Sequence, residues 1–317
     1  MMPAYPSHEQ ALKIVQSVLK TNGPCTAELL SGGLSGSELI KVNTSDRAYV
    51  VRFWNKKWAE DFPQDLACQV VASDAGYGPR VFFTDEAAYV TVIEYFHPEV
   101  FPEIRTRLQA LVDLLKRIHT GPPVPMGIDK PTYLDECIEE VEKLNLQLFD
   151  LDVIREIKEA VTTAARQNAR CLPCHRDLHP GNLIYSQERF VAIDYTWGGM
   201  DDPYLDLATL AIFNCTTPEE EHLLLQLYLG HAPSPAEAAR LSLMKLSAKL
   251  FYGLEFLKLA PTYRRTTTPK SYKNIEFHSR EPLNPANFFE YASSLLGEVV
   301  DYSHSEQYVK DLALLQK

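Results

Sequence analysis

CLPCHRDLHPGNLIYSQERFVAIDYTWGGMDDPYLD, residues 171–206, sets His175-Arg176-Asp177 ahead of Asn182 by five residues and of Asp194 by a further twelve. Short apolar runs flank the polar groups: Asn182-Leu183-Ile184-Tyr185 on one side, Phe190-Val191-Ala192-Ile193 just before Asp194. Runs of this length predict two short strands with polar residues at their ends, and Pro180-Gly181 predicts a tight turn between the acid and the amide. Asp, Asn and Asp converging in this way suit metal-assisted phosphoryl transfer. One carboxylate orients an attacking hydroxyl, while an amide and a second carboxylate hold Mg²⁺.

The chain has 317 residues, enough for two lobes with sizeable cores, and its 45% hydrophobic and 23% charged residues are ordinary for a soluble globular protein. Glu9, Lys13 and Lys20 leave the first twenty residues without the apolar run of a signal peptide. No segment approaches the roughly eighteen uninterrupted apolar residues of a membrane span. The expectation is a cytoplasmic enzyme. A net charge of −11 argues against non-specific nucleic-acid binding and suits a cationic small-molecule partner. Cys171-Leu172-Pro173-Cys174-His175 has the spacing of c-type haem attachment. Haem attachment needs export, and zinc needs a second ligand pair, whereas Cys25, Cys68, Cys137 and Cys215 are scattered. Cys171 and Cys174 therefore read as small, buried, reduced thiols on a strand entering the loop.

Upstream, residues 8–21 carry Leu12, Val15, Val18 and Leu19 at helical spacing, and Asn22-Gly23-Pro24 ends that helix. Strands are predicted at 26–30, 38–43 and 48–54. Ser31-Gly32-Gly33-Leu34-Ser35-Gly36-Ser37 between the first two is either a flexible turn or a loop whose N–H groups and hydroxyls approach phosphate. Arg52 is a lone cation in the third strand, and Asp65 lies in the first turn of a helix predicted over 63–76. The two can pair, or Asp65 can simply complement the helix N-terminus. Strands at 81–83 and 89–93 complete a five-stranded, mainly antiparallel small lobe, and Glu94-Tyr95-Phe96-His97-Pro98 leaves it extended. Helical patterns follow at about 101–120, 133–149 and 153–169, and again at 207–214, 219–229, 236–259, 288–300 and 306–315. Residues 262–286, rich in cations and prolines and without periodicity, read as a mobile loop.

In this order of pieces, and above all at CHRDLHPGNLIY (174–185) and AIDYTWGGMDDPYLDLA (192–208), the chain resembles the kinase-like phosphotransferases of the aminoglycoside phosphotransferase and choline kinase superfamily. The second segment is most similar to the bacterial choline kinases, in which the metal Asp is followed by an aromatic, a small-residue turn, Asp-Pro and Asp-Leu-Ala. The resemblance runs from about residue 29 to 259. It implies an α+β, protein-kinase-like fold of two lobes. Residues 1–96 would form a nucleotide-binding lobe of an N-terminal helix, a five-stranded sheet and one helix. Residues 97–317 would form a larger helical lobe with the catalytic and metal loops and the substrate pocket. The implied activity is that of a small-molecule kinase using ATP and Mg²⁺. In that scheme Asp177 accepts or orients the proton of the substrate hydroxyl, and Asn182 and Asp194 ligate Mg²⁺. Arg52 binds phosphate with Asp65 as its acidic partner, Gly33, Ser35, Gly36 and Ser37 cover the phosphates, and Glu94, Tyr95 and Phe96 form the adenine hinge. His175 braces the catalytic loop and Asp206 caps backbone in the metal segment. Two positions depart from the pattern: Asp65 stands where the family has Glu, and Gly36 where choline kinases have Asn.

Choline kinases hold a quaternary ammonium among aromatic rings by cation–π attraction. Tyr195, Trp197, Tyr252 and Phe256 are the candidates here, with Asp201 and Asp202 adding negative charge or capping the helix near Pro203. Tyr252 and Phe256, spaced i, i+4, equally suit a core stripe. The expected acceptor is a small cationic alcohol, choline first, with an aminoglycoside or other amino-sugar as the alternative. A nucleotide-binding pseudokinase module would not need Asp177, Asn182 and Asp194 together.

Overall fold

The computed structural model describes residues 8–21, 23–30, 37–144, 146, 149–166, 169–260 and 284–315. Strands β1 (Thr26–Leu30), β2 (Glu38–Asn43), β3 (Ala48–Phe53), β4 (Val81–Asp85) and β5 (Val90–Glu94) form one antiparallel sheet in the order β1-β2-β3-β5-β4. Side chains alternate across a strand. Tyr49, Val51 and Phe53 of β3 therefore share a face, and they pack with Ile40, Val42, Val90 and Val92 against Ala11 and Val15 of α1 (His8–Leu19). The same alternation turns Arg52 to the opposite face of the sheet's central strand, in register with Leu39 on one side and Thr91 on the other.

That second face meets α2 (Phe62–Asp74). The helix also belongs to the rest of the molecule, because Cys68, Ala72 and the following Tyr77 are part of the large core built with the C-terminal helices. Gly78 permits this docking. Its N–H donates to the Ala72 carbonyl at 3.0 Å, and a Cβ there would lie 2.7 Å from Ala72 Cβ and 2.8 Å from Tyr195 Oη.

The large core draws on α3 (Ile104–His119), α4 (Lys130–Lys143), α5 (Leu151–Arg166), α6 (Tyr204–Asn214), α7 (Pro218–Leu229), α8 (Pro235–Leu259), α9 (Phe288–Ser303) and α10 (Glu306–Leu315). Every residue of α6 is buried, so this helix runs through the middle of the helical lobe. Two small antiparallel pairs lie between the lobes: β6 (Leu172–Cys174) with β9 (Gly199–Asp201), and the hairpin β7 (Leu183–Ser186) with β8 (Arg189–Ala192). The strands β7 and β8 were expected from their apolar runs, and a strand was expected at 171–174, whereas the pairing of β7 with β8 and of β6 with β9 came from the structure.

Helix boundaries move where a capping side chain intervenes. The helix expected from 133 begins at Lys130, since the Asp129 carboxylate accepts from Thr132 N at 3.1 Å and Pro131 fits the first turn. The helix expected from 207 begins at Tyr204, whose N–H donates to Asp202 Oδ1 at 3.0 Å. Among the described residues no helix is long and apolar enough to cross a membrane.

Candidate active site

β6 delivers His175 and Arg176 to a loop whose backbone is unusual: Arg176 has φ 67° and Asp194 φ 65°. Non-glycine residues adopt this left-handed region only when the surroundings impose it. Asp206, in the first turn of α6, imposes it at Arg176. One carboxylate oxygen accepts from Arg176 N at 2.6 Å, and the other accepts from His175 N at 2.9 Å and lies 3.0 Å from His119 Nε2 of α3. Lys130 Nζ holds the other side of the same residue, donating to the Arg176 carbonyl at 2.8 Å. Burial by itself would raise the Asp206 pKa, but the hydrogen bonds and charge of His119 and His175 hold it below the usual carboxylate value. Asp206 thus caps backbone at His175 and Arg176, ahead of Asp177, and not backbone in the segment around Asp194, where the sequence had placed it.

Asp177 is gripped at both oxygens. Tyr252 Oη donates to Oδ1 at 2.6 Å, and Asn182 Nδ2 donates to Oδ2 at 2.9 Å. Asn182 sits in the short turn Pro180–Asn182, and its carbonyl accepts from Ile193 N at 3.0 Å, so the amide and the run into Asp194 are one hydrogen bond apart. His175 braces the same segment through Nε2, 3.1 Å from the Ile193 carbonyl. Asp194 accepts from Thr196 Oγ1 at 2.8 Å and pairs with Arg52 Nη2 at 3.4 Å. Arg52 Nη1 lies 3.4 Å from Asp65 Oδ2, and the guanidinium stacks 4.1 Å from the Trp54 ring centroid. The buried cation therefore spans an acid of α2 and Asp194, just after β8. Burial, opposed by Arg52 but reinforced by Asp194, pushes Asp65 up to about 7. Burial also opposes the charge on Asp194, yet Arg52 and Thr196 bring its pKa below the usual value, so Asp194 is the firmly ionised partner. With Asn182 Nδ2 committed to Asp177, the Asn182 amide oxygen and the Asp194 carboxylate are hard oxygen donors of the kind that could hold Mg²⁺.

On the hinge side, Phe96 packs with Ile184, Val191 and Ile193 as a separate apolar cluster. Glu94 is tied to Arg80, its N–H donating to the Arg80 carbonyl at 2.9 Å and its carboxylate accepting from Arg80 N at 3.3 Å. Tyr95 lies under Lys41, with Nζ 4.6 Å from the ring centroid. Gly33, Ser35 and Gly36 lie outside the described residues, as does most of 262–286. Ser37 is described and leads into β2.

The acceptor-side candidates separate. Trp197 packs edge-on with Tyr133 (4.7 Å between centroids) and Phe251 (4.9 Å). Tyr195 is buried away from any open face, its hydroxyl donating to the Ala192 carbonyl at 3.0 Å and its ring against His175. Phe256 is core, stacked on Phe288 at 4.9 Å. Tyr252 reaches the Asp177 carboxylate, a contact its i, i+4 spacing gave no hint of. Asp202 is buried in an ion pair with Arg240 and caps α6, whereas Asp201 pairs with Arg176 Nε at 2.9 Å. Cys174 is buried, with Sγ 3.5 Å from the Asp201 carbonyl, but Cys171 is exposed, contrary to the sequence reading. His119, Cys174 and Asp206 bring their ligand atoms within 4.8 Å of one another, yet the Asp206 oxygens are taken up by N–H donors.

Sequence reasoning missed Lys130, Tyr133, Phe251 and Glu255. Tyr133 Oη donates to Glu255 Oε1 at 2.5 Å, and Lys130 Nζ lies 3.9 Å from the Phe251 centroid. These residues come from α4 and α8, far apart in sequence, and no local spacing reports such a meeting.

Residues 26–241 match the profile of the phosphotransferase enzyme family. Protein LicA of Haemophilus influenzae is 36% identical over 56 residues, 18% of this chain, so the match spans only 21% of that relative's length. The choline/ethanolamine kinase family protein from Mesorhizobium loti superposes with a TM-score of 0.70 at 20% identity, over 97% of this chain and 98% of the other. ADP-bound aminoglycoside phosphotransferase APH(2″)-Ib gives a TM-score of 0.57 at 15% identity, over 80% and 91%. Both likenesses share the kinase-like two-lobe fold. Because the profile match runs from β1 into α8 and takes in the sheet, the loop around Asp177 and the segment around Asp194 together, the chain belongs to the phosphotransferase enzyme family.

Proposed function

We propose that this protein is an ATP-dependent small-molecule kinase that moves the γ-phosphate of ATP to a hydroxyl of a small, cationic alcohol. The observation that carries this reading is the doubly held Asp177 carboxylate, linked through Asn182 to the run entering Asp194. Phosphoryl transfer through a loose transition state asks mainly for positioning and charge neutralisation. Asp177 keeps lone pairs on both oxygens after its two hydrogen bonds, so it can accept the acceptor hydroxyl and then its proton. Asn182 and Asp194 would hold Mg²⁺, which when bound neutralises charge on the phosphate oxygens. Arg52, fixed between Asp65 and Asp194, presents its cation to the same place. The apolar cluster of Phe96, Ile184, Val191 and Ile193 suits an adenine ring, with Tyr95 and Phe96 offering backbone groups beyond the end of β5.

A cationic acceptor agrees with the net charge of −11 and with the choline/ethanolamine kinase family name of the Mesorhizobium loti protein. Choline and related amino alcohols are the favoured class. Amino-sugars are the second reading, supported by two partly exposed carboxylates, Asp201 and Glu255, which pair with Arg176 and Lys258 and keep lone pairs for a further amine. Asp177→Ala tests the mechanism: kcat should fall by about 10³-fold or more, with the calorimetric affinity for MgATP changed little. Near wild-type turnover in that variant would overturn the mechanism. The acceptor class is tested by ATP-consumption rates over choline, ethanolamine, amino-sugars and thiamine.

A further inference from the structure

Lys130 opens α4, and although it carries a charge it is only 7% exposed. Its ammonium sits 3.9 Å from the centroid of Phe251 and 5.6 Å from that of Trp197, and those two rings and Tyr133 pack against one another. Aromatic rings converging on a cation are how proteins bind quaternary ammonium ligands. Here the protein's own lysine occupies that seat. Its hydrogen bond to the Arg176 carbonyl, 2.8 Å long, fixes it there. Burial, with the nearby Arg176 cation, lowers the lysine to about 8, while Asp177, Asp201 and Asp206 oppose the shift, so it stays charged at neutral pH.

The cage adjoins the reacting centre. Arg176 is the residue before Asp177, Phe251 precedes the Tyr252 that holds Asp177, and Trp197 follows Asp194 by three positions. A trimethylammonium group has no N–H and depends on ring faces for recognition. With the rings already occupied, it would meet an ammonium of like charge in place of a seat. A protonated primary amine has another route, because it can donate to carboxylates. Asp201 and Glu255 flank the cage with side chains 28% and 22% exposed; each already holds one cation, Arg176 Nε and Lys258 Nζ respectively, both at 2.9 Å, and keeps further lone pairs that can accept from an amine.

We propose that Lys130 is a specificity-determining residue that plugs the aromatic cage, so that the acceptor is an alcohol bearing a protonated primary amine and not a quaternary ammonium. This deepens the kinase reading above and rests on it; it places ethanolamine-like acceptors of the favoured class, and the amino-sugars of the second reading, ahead of choline. The test compares the full-length wild type with Lys130→Met and Lys130→Arg at saturating MgATP. In the wild type, kcat/KM for ethanolamine or for a 2-amino-sugar should exceed that for choline by about tenfold or more. Lys130→Met should shift that ratio toward choline by a similar factor, whereas Lys130→Arg should keep the wild-type order. Calorimetry with tetramethylammonium needs no turnover, and Lys130→Met should bind it about tenfold more tightly than the wild type. A wild type that prefers choline overturns the proposal, as does a Lys130→Met protein with unchanged acceptor ratio and unchanged tetramethylammonium affinity. The wild-type ranking stands as a test even if Lys130→Met fails to fold. Absence of turnover with every acceptor would instead overturn the kinase reading, and the tetramethylammonium comparison would still judge the plug.

Discussion

Tyr252 shows how much one hydroxyl can decide. Its ring is walled in by Phe213 and Phe251 at 4.9 and 5.0 Å, so the phenol has little freedom, and its Oη donates to Asp177 Oδ1 at an O···O distance of 2.6 Å. With Asn182 on the other oxygen, the carboxylate plane is fixed before any acceptor arrives. Tyr252→Phe removes that donor with little change in packing. We expect kcat to fall by about 10- to 100-fold with KM for ATP unchanged, since the phenol orients the carboxylate and lies away from the nucleotide groups. Steady-state kinetics in both substrates checks this, and a rise in KM for ATP without loss of kcat would contradict it. The sequence offered Asp177 and Asn182 as a pair because five residues and a Pro-Gly turn separate them. It offered Tyr252 only as an aromatic on a helix, because its partner lies 75 positions away.

At the scale of elements, the legible features were those whose signal is local. Thr217-Pro218-Glu219-Glu220 and Ser234-Pro235-Ala236-Glu237 both form complete capping boxes, which is why α7 and α8 begin within a residue of their expected starts. The docking of α2 had no such signal. Its hydrophobic residues do not gather on one face of the helix, and Asp65 was readable either as a helix N-terminal charge or as a partner for Arg52 until the sheet was in place. Gly78 makes that docking possible, and Gly78→Ala should show it. The new Cβ would press on Ala72 of α2 and on the Tyr195 hydroxyl, neither with room to move. A loss of about 1–3 kcal/mol in urea unfolding is expected, as for overpacked sites generally. An unchanged midpoint would mean that α2 is free to shift.

Across the whole molecule, Asp206 joins α3, the loop leading to Asp177 and α6 through one buried carboxylate. Its folded pKa lies below the ordinary value of 3.8, so its stabilisation is complete above that value and is lost as pH falls through the lowered one. Asp206→Asn should therefore cost about 3 kcal/mol or more at neutral pH, and the two proteins should converge in stability under strongly acidic conditions. Urea titrations at several pH values check the sign, and a difference that persisted undiminished in acid would refute it. This linkage lies within the larger hydrophobic core, which runs through the helical lobe and α2, whereas the sheet and α1 share a second core. By itself the sequence determined the reaction type it pointed to and the two-lobe plan. Asp177, Asn182 and Asp194 lie in one continuous stretch, and strand and helix periods are short-range patterns. Only the tertiary structure decided which face each of the other groups met. It turned Asp206 toward the catalytic loop, buried Tyr195 and Asp202, and brought Lys130 of α4 under rings from α8 and from the segment after Asp194. Packing between distant segments made those assignments, because side-chain neighbours across a core are set by how elements cross, and spacing along one segment carries no record of that crossing.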